Sequence, residues 1–237
     1  PVGLLKKILS FSINKNDIVL DFFSGSGTIF QASFESSIDL DVEFKTIAVQ
    51  LPEKITDKTV EGKNALSLGF DRITRLAQER IRLAGKKILE ENPEQKDKLD
   101  IGFKVFKLDE SNIKTWETDP EKLDANLFLE DVIKDDRTEE DVLYEILLKY
   151  GLDLTLPIQE KEIEHQKLYA IGGGALLVYL GDIATPSIAQ EIINWAKELG
   201  AINPQAVFKD SGFQNSQDKV NTLQLLKSNN ITDVWSI

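Results

Sequence analysis

The chain has 237 residues, with 28 Lys and Arg against 40 Asp and Glu, 41% hydrophobic residues, and neither Cys nor Met. The absence of Cys excludes disulfide frameworks, zinc ribbons and thiol nucleophiles, and the net charge of −12 argues against broad electrostatic binding of DNA by this chain alone. The absence of Cys also fits a cytoplasmic protein, which we expect. No segment approaches the roughly 18 consecutive apolar residues of a membrane span, so we expect no membrane partner.

The first part of the chain predicts alternating helices and strands. After a short helix, an apolar strand at 17–23 runs into a glycine turn and a helix at 29–35. A second strand is predicted at 44–51 and a longer helix at 71–90. This order is typical of the start of a parallel α/β sheet. The basic residues across 72–87 we interpret as a solvated surface that covers the sheet, with contact to DNA phosphates as the alternative.

A polar stretch at 90–100 predicts a linker, and the chain beyond it predicts a second α/β unit. A strand is predicted at 101–108, followed by a helix that Thr138 caps. Gly172 to Gly174 interrupt an apolar segment, and because no Lys follows them as in a phosphate loop, they predict a β-turn or bulge. The tail predicts helix, strand, helix and strand at 187–199, 205–209, 217–227 and 232–237.

The strongest local signal is the glycine turn Ser24-Gly25-Ser26-Gly27-Thr28 that follows the first strand. Such a turn brings backbone N–H groups and a helix N-terminus to one point, which favours an anionic group. It is not the phosphate loop of nucleotide triphosphatases, because the run Gly-x-x-x-x-Gly-Lys-Ser/Thr does not occur in this sequence. Nor is it a dinucleotide fingerprint, because Phe30 replaces the third glycine and Gln50 stands where the next strand would end in an acid. A tight turn without a ligand remains the alternative.

The run from Asp21 to Thr28 resembles the cofactor motif of DNA methyltransferases that use S-adenosylmethionine, whose core is Asp-x-Phe-x-Gly-Ser-Gly-Thr. Pro1 to Leu5 resembles the segment that precedes this motif in amino-methyltransferases. Further segments are similar to the modification subunits of type III restriction–modification systems, at 46–53, 69–88, 102–109, 143–154 and 208–213.

This resemblance implies an α/β fold, in which a partial Rossmann-like methyltransferase sheet is followed by a smaller α/β C-terminal domain. We assign 1–92 to the cofactor-binding part of the methyltransferase domain and 100–237 to the C-terminal domain. The chain would be the C-terminal part of an adenine-N6-specific DNA methyltransferase. In that family an Asp-Pro-Pro-Tyr loop acts on a flipped base. Neither that loop nor a target-recognition region is found in this chain, so we expect no catalytic residue here and no activity from the chain alone.

The resemblance further implies S-adenosylmethionine as the cofactor. Asp21 would contact its amino-acid portion, Phe23 its sugar or adenine, and Gln50 its ribose. The full set of expected cofactor-binding residues is Asp21, Phe23, Ser24, Gly25, Ser26, Gly27, Thr28 and Gln50. Thr28 is equally compatible with a helix N-cap, and Phe22 we expect in the core because alternate strand residues point to opposite faces. With one His and no Cys, no metal site is predicted.

The partners that the resemblance implies are double-stranded DNA, bound through the parent protein, and the restriction subunit of the same system. A homodimer is also expected, with residues 100–237 as the module that makes these subunit contacts. The alternative for the whole chain is a non-catalytic α/β protein-interaction module, or a binder of another small ligand.

Overall fold

The computed structural model describes residues 2–114 and 133–237. Pro1, the first residue of the segment 1–5 that resembles amino-methyltransferases, therefore lies outside the described residues. Helices and strands alternate, and the predicted α/β class is confirmed. The chain forms two compact units, Pro1–Lys104 and Val105–Ile237. Among the helices described, none is long and apolar enough to cross a membrane.

The first unit is built on a pair of parallel strands. Its elements are α1 (Val2–Ser12), β1 (Ile18–Asp21), α2 (Thr28–Leu40), β2 (Lys45–Ala48), α3 (Val60–Ser67) and α4 (Ile73–Glu91). In the β1–β2 pair, Leu20 lies opposite Ile47. The Thr46 hydroxyl of β2 donates to the Ser33 hydroxyl of α2 at 2.8 Å, so α2 covers one face of the pair. The core between α2 and α4 contains Phe34, Ile81 and Ile88.

The opposite face of the β1–β2 pair is exposed, and we call it the apolar strand face. It consists of Ile18, Leu20, Phe22, Ile47 and Val49, each between 48% and 62% exposed. The prediction that Phe22 lies in the core is therefore wrong. Strand alternation does place Phe22 on the face of Ile18 and Leu20, but that face is not covered in this structure.

The second unit contains a mixed five-stranded sheet between helical layers. Its described elements are α5 (Glu139–Lys149), β3 (Ile158–Ile163), β4 (Gln166–Ile171), β5 (Leu176–Tyr179), α6 (Pro186–Glu198), β6 (Gln205–Phe208), α7 (Ser216–Ser228) and β7 (Val234–Ser236). The strand order is β3-β4-β5-β6-β7, antiparallel as far as β5 and parallel from β5 onward. One face packs on α6 and α7 and the other on α5.

Two local predictions in this unit are confirmed. Gly172, Gly173 and Gly174 form the turn between β4 and β5, with φ of 60°, 70° and 88° in the region that glycine adopts readily. Thr138 caps α5, accepting the Asp141 N–H at 3.2 Å in a capping box.

The strand predicted at 101–108 is not formed. Ile101 and Phe103 instead pack as partly buried residues against the core between α2 and α4. Ile101 comes so close to α4 that a Cβ on Gly85 would lie 3.0 Å from the Ile101 Cβ. These two residues are thus partly buried by side-chain packing rather than by pairing with a strand, whereas Val105, Phe106 and Leu108 of the same segment are exposed.

Candidate cofactor site

The candidate site is the loop that connects β1 to α2. Gly25 and Gly27 have φ of 54° and 74°, a left-handed conformation that costs other residues about 1 kcal/mol or more. At Gly27 an added Cβ would meet Ile81 carbons at 3.2 Å, whereas one at Gly25 would meet nothing within 4 Å. Two features therefore favour glycine at position 27: its left-handed backbone conformation and the close approach of Ile81 from α4.

The ends of both strands hold the start of this loop. The carboxylate of Asp21, the last residue of β1, accepts the Phe23 N–H at 3.1 Å. The Ser24 N–H donates to the Val49 carbonyl at 3.3 Å, just beyond the end of β2. The loop thus lies at the carboxyl ends of two parallel strands, the edge at which open α/β sheets bind ligands.

Gln50 binds the loop itself. Its side-chain oxygen accepts the Gly25 N–H at 2.8 Å, and its side-chain nitrogen donates to the Leu51 carbonyl at 3.3 Å. A ribose hydroxyl would therefore have to bind Gln50 alongside these contacts or replace one of them.

The N-terminus of α2 points into the same loop. Gly27 is the N-cap and has no side chain to accept the first N–H groups of the helix, and the first turn contains no acidic residue. The alternative in which Thr28 caps the helix is therefore wrong, because Thr28 is already the first helical residue. The partial positive charge of this helix end remains open to an anion.

Arg80 of α4 belongs to the site, although the sequence reasoning missed it. Its guanidinium donates to the Ser26 hydroxyl at 2.7 Å and to the Thr28 hydroxyl at 2.6 Å. A third bond reaches the Gln31 side-chain oxygen at 3.3 Å. The only sequence signal is helical spacing, which places Arg80 beside the buried Ala77 and Ile81. The interpretation of 72–87 as a solvated surface fails at this residue.

Phe23 stands out from the loop. Its side chain is 84% exposed, and its ring centroid lies 5.0 Å from that of Phe22. A large exposed aromatic pair beside a glycine loop offers a planar apolar surface on which a nucleobase could stack.

All eight expected cofactor-binding residues lie in or directly beside this loop. Together with Arg80 they supply an acid at the strand end, a cation at the helix end, and an exposed aromatic ring. Within the part of the chain that the structure describes, no group of His, Asp and Glu could hold a metal ion. The arrangement can bind a zwitterionic ligand that carries an aromatic group.

Comparison with known proteins finds similarity to DNA methylases and to type III modification subunits. Residues 1–50 match the family model for DNA methylase, a range that ends at Gln50. The chain is 29% identical over 184 residues to the Mod subunit of the type III restriction-modification enzyme EcoP15I from Escherichia coli, covering 75% of this chain and 25% of that protein. It is 32% identical over 107 residues to the StyLTI Mod subunit of Salmonella typhimurium, covering 45% of this chain and 16% of that protein.

The chain thus spans a quarter or less of the length of these two curated relatives. The matches confirm the predicted resemblance to DNA methyltransferases and to type III modification subunits, the latter carried by segments such as 46–53 and 69–88.

Proposed function

We propose that this chain is the C-terminal part of an adenine-N6-specific DNA methyltransferase of a type III restriction–modification system, and that its first unit supplies the S-adenosylmethionine site. The observation that carries the proposal is the loop between β1 and α2. Asp21 and the two left-handed glycines of this loop lie within residues 1–50, the range that matches DNA methylases. Arg80 lies outside that range but donates a hydrogen bond to Ser26 of the loop.

The donor set of the loop fits this cofactor. The Asp21 carboxylate suits the ammonium group, whereas the N-terminus of α2 and the N–H groups of Ser26 and Thr28 suit the carboxylate. The other N–H groups of the loop, at Ser24, Gly25 and Gly27, already donate within the protein. Phe23 suits the adenine or the sugar, and Gln50 the ribose. When bound, S-adenosylmethionine supplies the activated methyl group, and the residues of this chain bind and orient it.

The apolar strand face supports the view that further protein completes this unit. Parallel sheets occur almost only with both faces covered, yet Leu20 and Ile47 are 56% and 48% exposed. The chain also has no Asp-Pro-Pro-Tyr loop to act on an extruded adenine. We therefore propose that binding and methylation of double-stranded DNA take place in the parent protein, and that this chain alone is inactive.

We propose that the second unit is the module for subunit contacts, both with the restriction subunit and in a homodimer. It has its own core on both faces of the sheet, and no metal-binding group is found among its described residues. Capture of the restriction subunit by the whole chain, and a dimer mass in sedimentation, would support this role. A monomer that captures nothing would contradict it.

Calorimetry with S-adenosylhomocysteine, the demethylated cofactor, tests the cofactor site. We expect the chain to bind it, and we expect Asp21→Ala and Gly25→Val to weaken binding at least tenfold. Asp57→Ala, which changes an exposed acid of the same unit, is the matched control and should bind as the unaltered chain does. No heat at millimolar ligand, together with no competition against S-adenosylmethionine, would contradict a preformed site.

A further inference from the structure

We infer that Arg80 is a positioning residue that makes the candidate site selective for a ligand with a carboxylate. The inference rests on the proposed function, because it concerns the same loop. Arg80 acts through Ser26 and Thr28, whose hydroxyl oxygens both accept from one guanidinium nitrogen, at 2.7 and 2.6 Å.

The charge of Arg80 is not neutralised by a carboxylate among the described residues, unlike that of its neighbours on α4. Its three hydrogen-bond acceptors are two hydroxyls and an amide oxygen, all neutral. Arg75 instead pairs with Asp71 at 3.3 Å, and Arg82 with Glu79 at 3.4 Å.

The nearest acid in the Arg80 network is engaged elsewhere. Gln31 links Arg80 to Glu35, since its side-chain nitrogen donates to the Glu35 carboxylate at 3.0 Å. Glu35 itself is paired with Lys6 at 3.0 Å. The positive charge at the loop is thus left for a ligand.

The hydrogen bonds of Arg80 also set the direction of two donors. A hydroxyl that accepts a hydrogen bond from a cation must turn its own hydrogen away from that cation. The O–H groups of Ser26 and Thr28 are therefore directed away from Arg80, and the cation polarises them into stronger donors. A ligand carboxylate at the loop would meet these two donors beside the N-terminus of α2.

The test compares two ligands that differ only in the amino-acid portion. S-adenosylhomocysteine has a carboxylate and an ammonium group on its thioether chain, and 5′-methylthioadenosine is the same nucleoside thioether with a methyl group in place of that chain. In calorimetry on the full chain, Arg80→Met should weaken S-adenosylhomocysteine about tenfold or more and leave 5′-methylthioadenosine within about twofold, because hydrogen bonds to charged groups carry energies of that order. Arg75→Met, on the same helix, should change neither affinity.

Two further variants keep the inference testable if Arg80→Met does not fold. Arg80→Lys retains the charge but not the planar fork that spans two hydroxyls, so it should recover part of the selectivity. The double change Ser26→Ala with Thr28→Val removes both acceptors and should reproduce the selective loss.

The outcomes distinguish the role of Arg80 from the existence of the cofactor site. Equal weakening of both ligands by Arg80→Met, or no weakening by the double change, would assign Arg80 a purely structural role and overturn the inference while the cofactor site stands. Failure of the unaltered chain to bind either ligand would contradict the proposed function, and the role of Arg80 with it.

Discussion

The side-chain oxygen of Gln50 accepts the backbone N–H of Gly25 at 2.8 Å, and so joins a residue two positions beyond the end of β2 to the glycine loop. The two residues are 25 positions apart, and the bond is partly buried. It satisfies a loop N–H that would otherwise face the ligand, and it ties the loop to the second strand as well as to the first.

Replacing Gln50 tests whether this bond orders the loop. Gln50→Leu removes the acceptor, so we expect a loss of about 1 kcal/mol in the free energy of unfolding and a weaker affinity for S-adenosylhomocysteine. Gln50→Glu keeps an oxygen acceptor and should retain most of both. Urea unfolding and calorimetry measure the two effects. Equal losses in Leu and Glu variants would show that the Gly25 bond is not the reason.

Gly27→Ala should destabilise the first unit more than Gly25→Ala does. Both changes place a Cβ at positive φ, which costs about 1–3 kcal/mol, but only the Cβ at Gly27 would crowd Ile81, at 3.2 Å. Gly3→Ala, in α1 with nothing within 4 Å of an added Cβ, is the control and should cost nothing. Urea unfolding of the three variants measures the loss in the free energy of unfolding. Similar losses for Gly25→Ala and Gly27→Ala would show that contact with Ile81 adds nothing to the cost at position 27.

Most helices and the glycine loop could be predicted because their signals are local. The helix predicted at 187–199 is observed as Pro186–Glu198, with Thr185 as its N-cap and Pro at its first turn. The loop was predictable because its residues are contiguous. Arg80 was not, since it meets Ser26 and Thr28 from more than 50 positions away.

One strand was not predicted and one predicted strand is not formed, both for tertiary reasons. The segment Ile158–Ile163, which forms β3, has four polar residues between two Ile, and its charged side chains are those of a sheet edge. Residues 101–108 have the apolar content of a strand, but Ile101 and Phe103 pack, partly buried, against the core between α2 and α4 instead. In both segments the neighbouring elements decide the structure rather than the local sequence: β4 pairs with 158–163, and the core between α2 and α4 takes up Ile101 and Phe103.

Leu20→Thr tests whether the apolar strand face is uncovered in this chain. Leu20 is 56% exposed, so its replacement by another residue with a good strand propensity should change the free energy of unfolding by less than about 0.5 kcal/mol. Leu177→Ala, at a fully buried position of β5, should cost about 2–5 kcal/mol in the same urea titration. A loss above about 1.5 kcal/mol for Leu20→Thr would mean that another surface covers this face.

Glu145 of α5 holds the chain segment at 111–112 against this helix. Its carboxylate accepts the Ser111 hydroxyl and the Asn112 N–H, both at 2.6 Å, and pairs with Lys149 at 2.9 Å. Burial is the largest single influence and opposes ionisation, but these three hydrogen bonds together outweigh it and lower the pKa of Glu145 from 4.5 to about 2.

Glu145→Gln should therefore destabilise the chain in a way that depends on pH. Because the pKa is lower in the folded state, the carboxylate stabilises the fold above about pH 4.5, and this contribution disappears as the pH falls toward 2. We expect a loss of about 3 kcal/mol at pH 7 that shrinks progressively below pH 4.5, measured by urea unfolding between pH 7 and pH 3. Glu198→Gln, at an exposed position in the same unit, should show no such trend. A Glu145→Gln loss that is the same at pH 7 and pH 3 would show that the ionised carboxylate is not what holds residues 111–112 to α5.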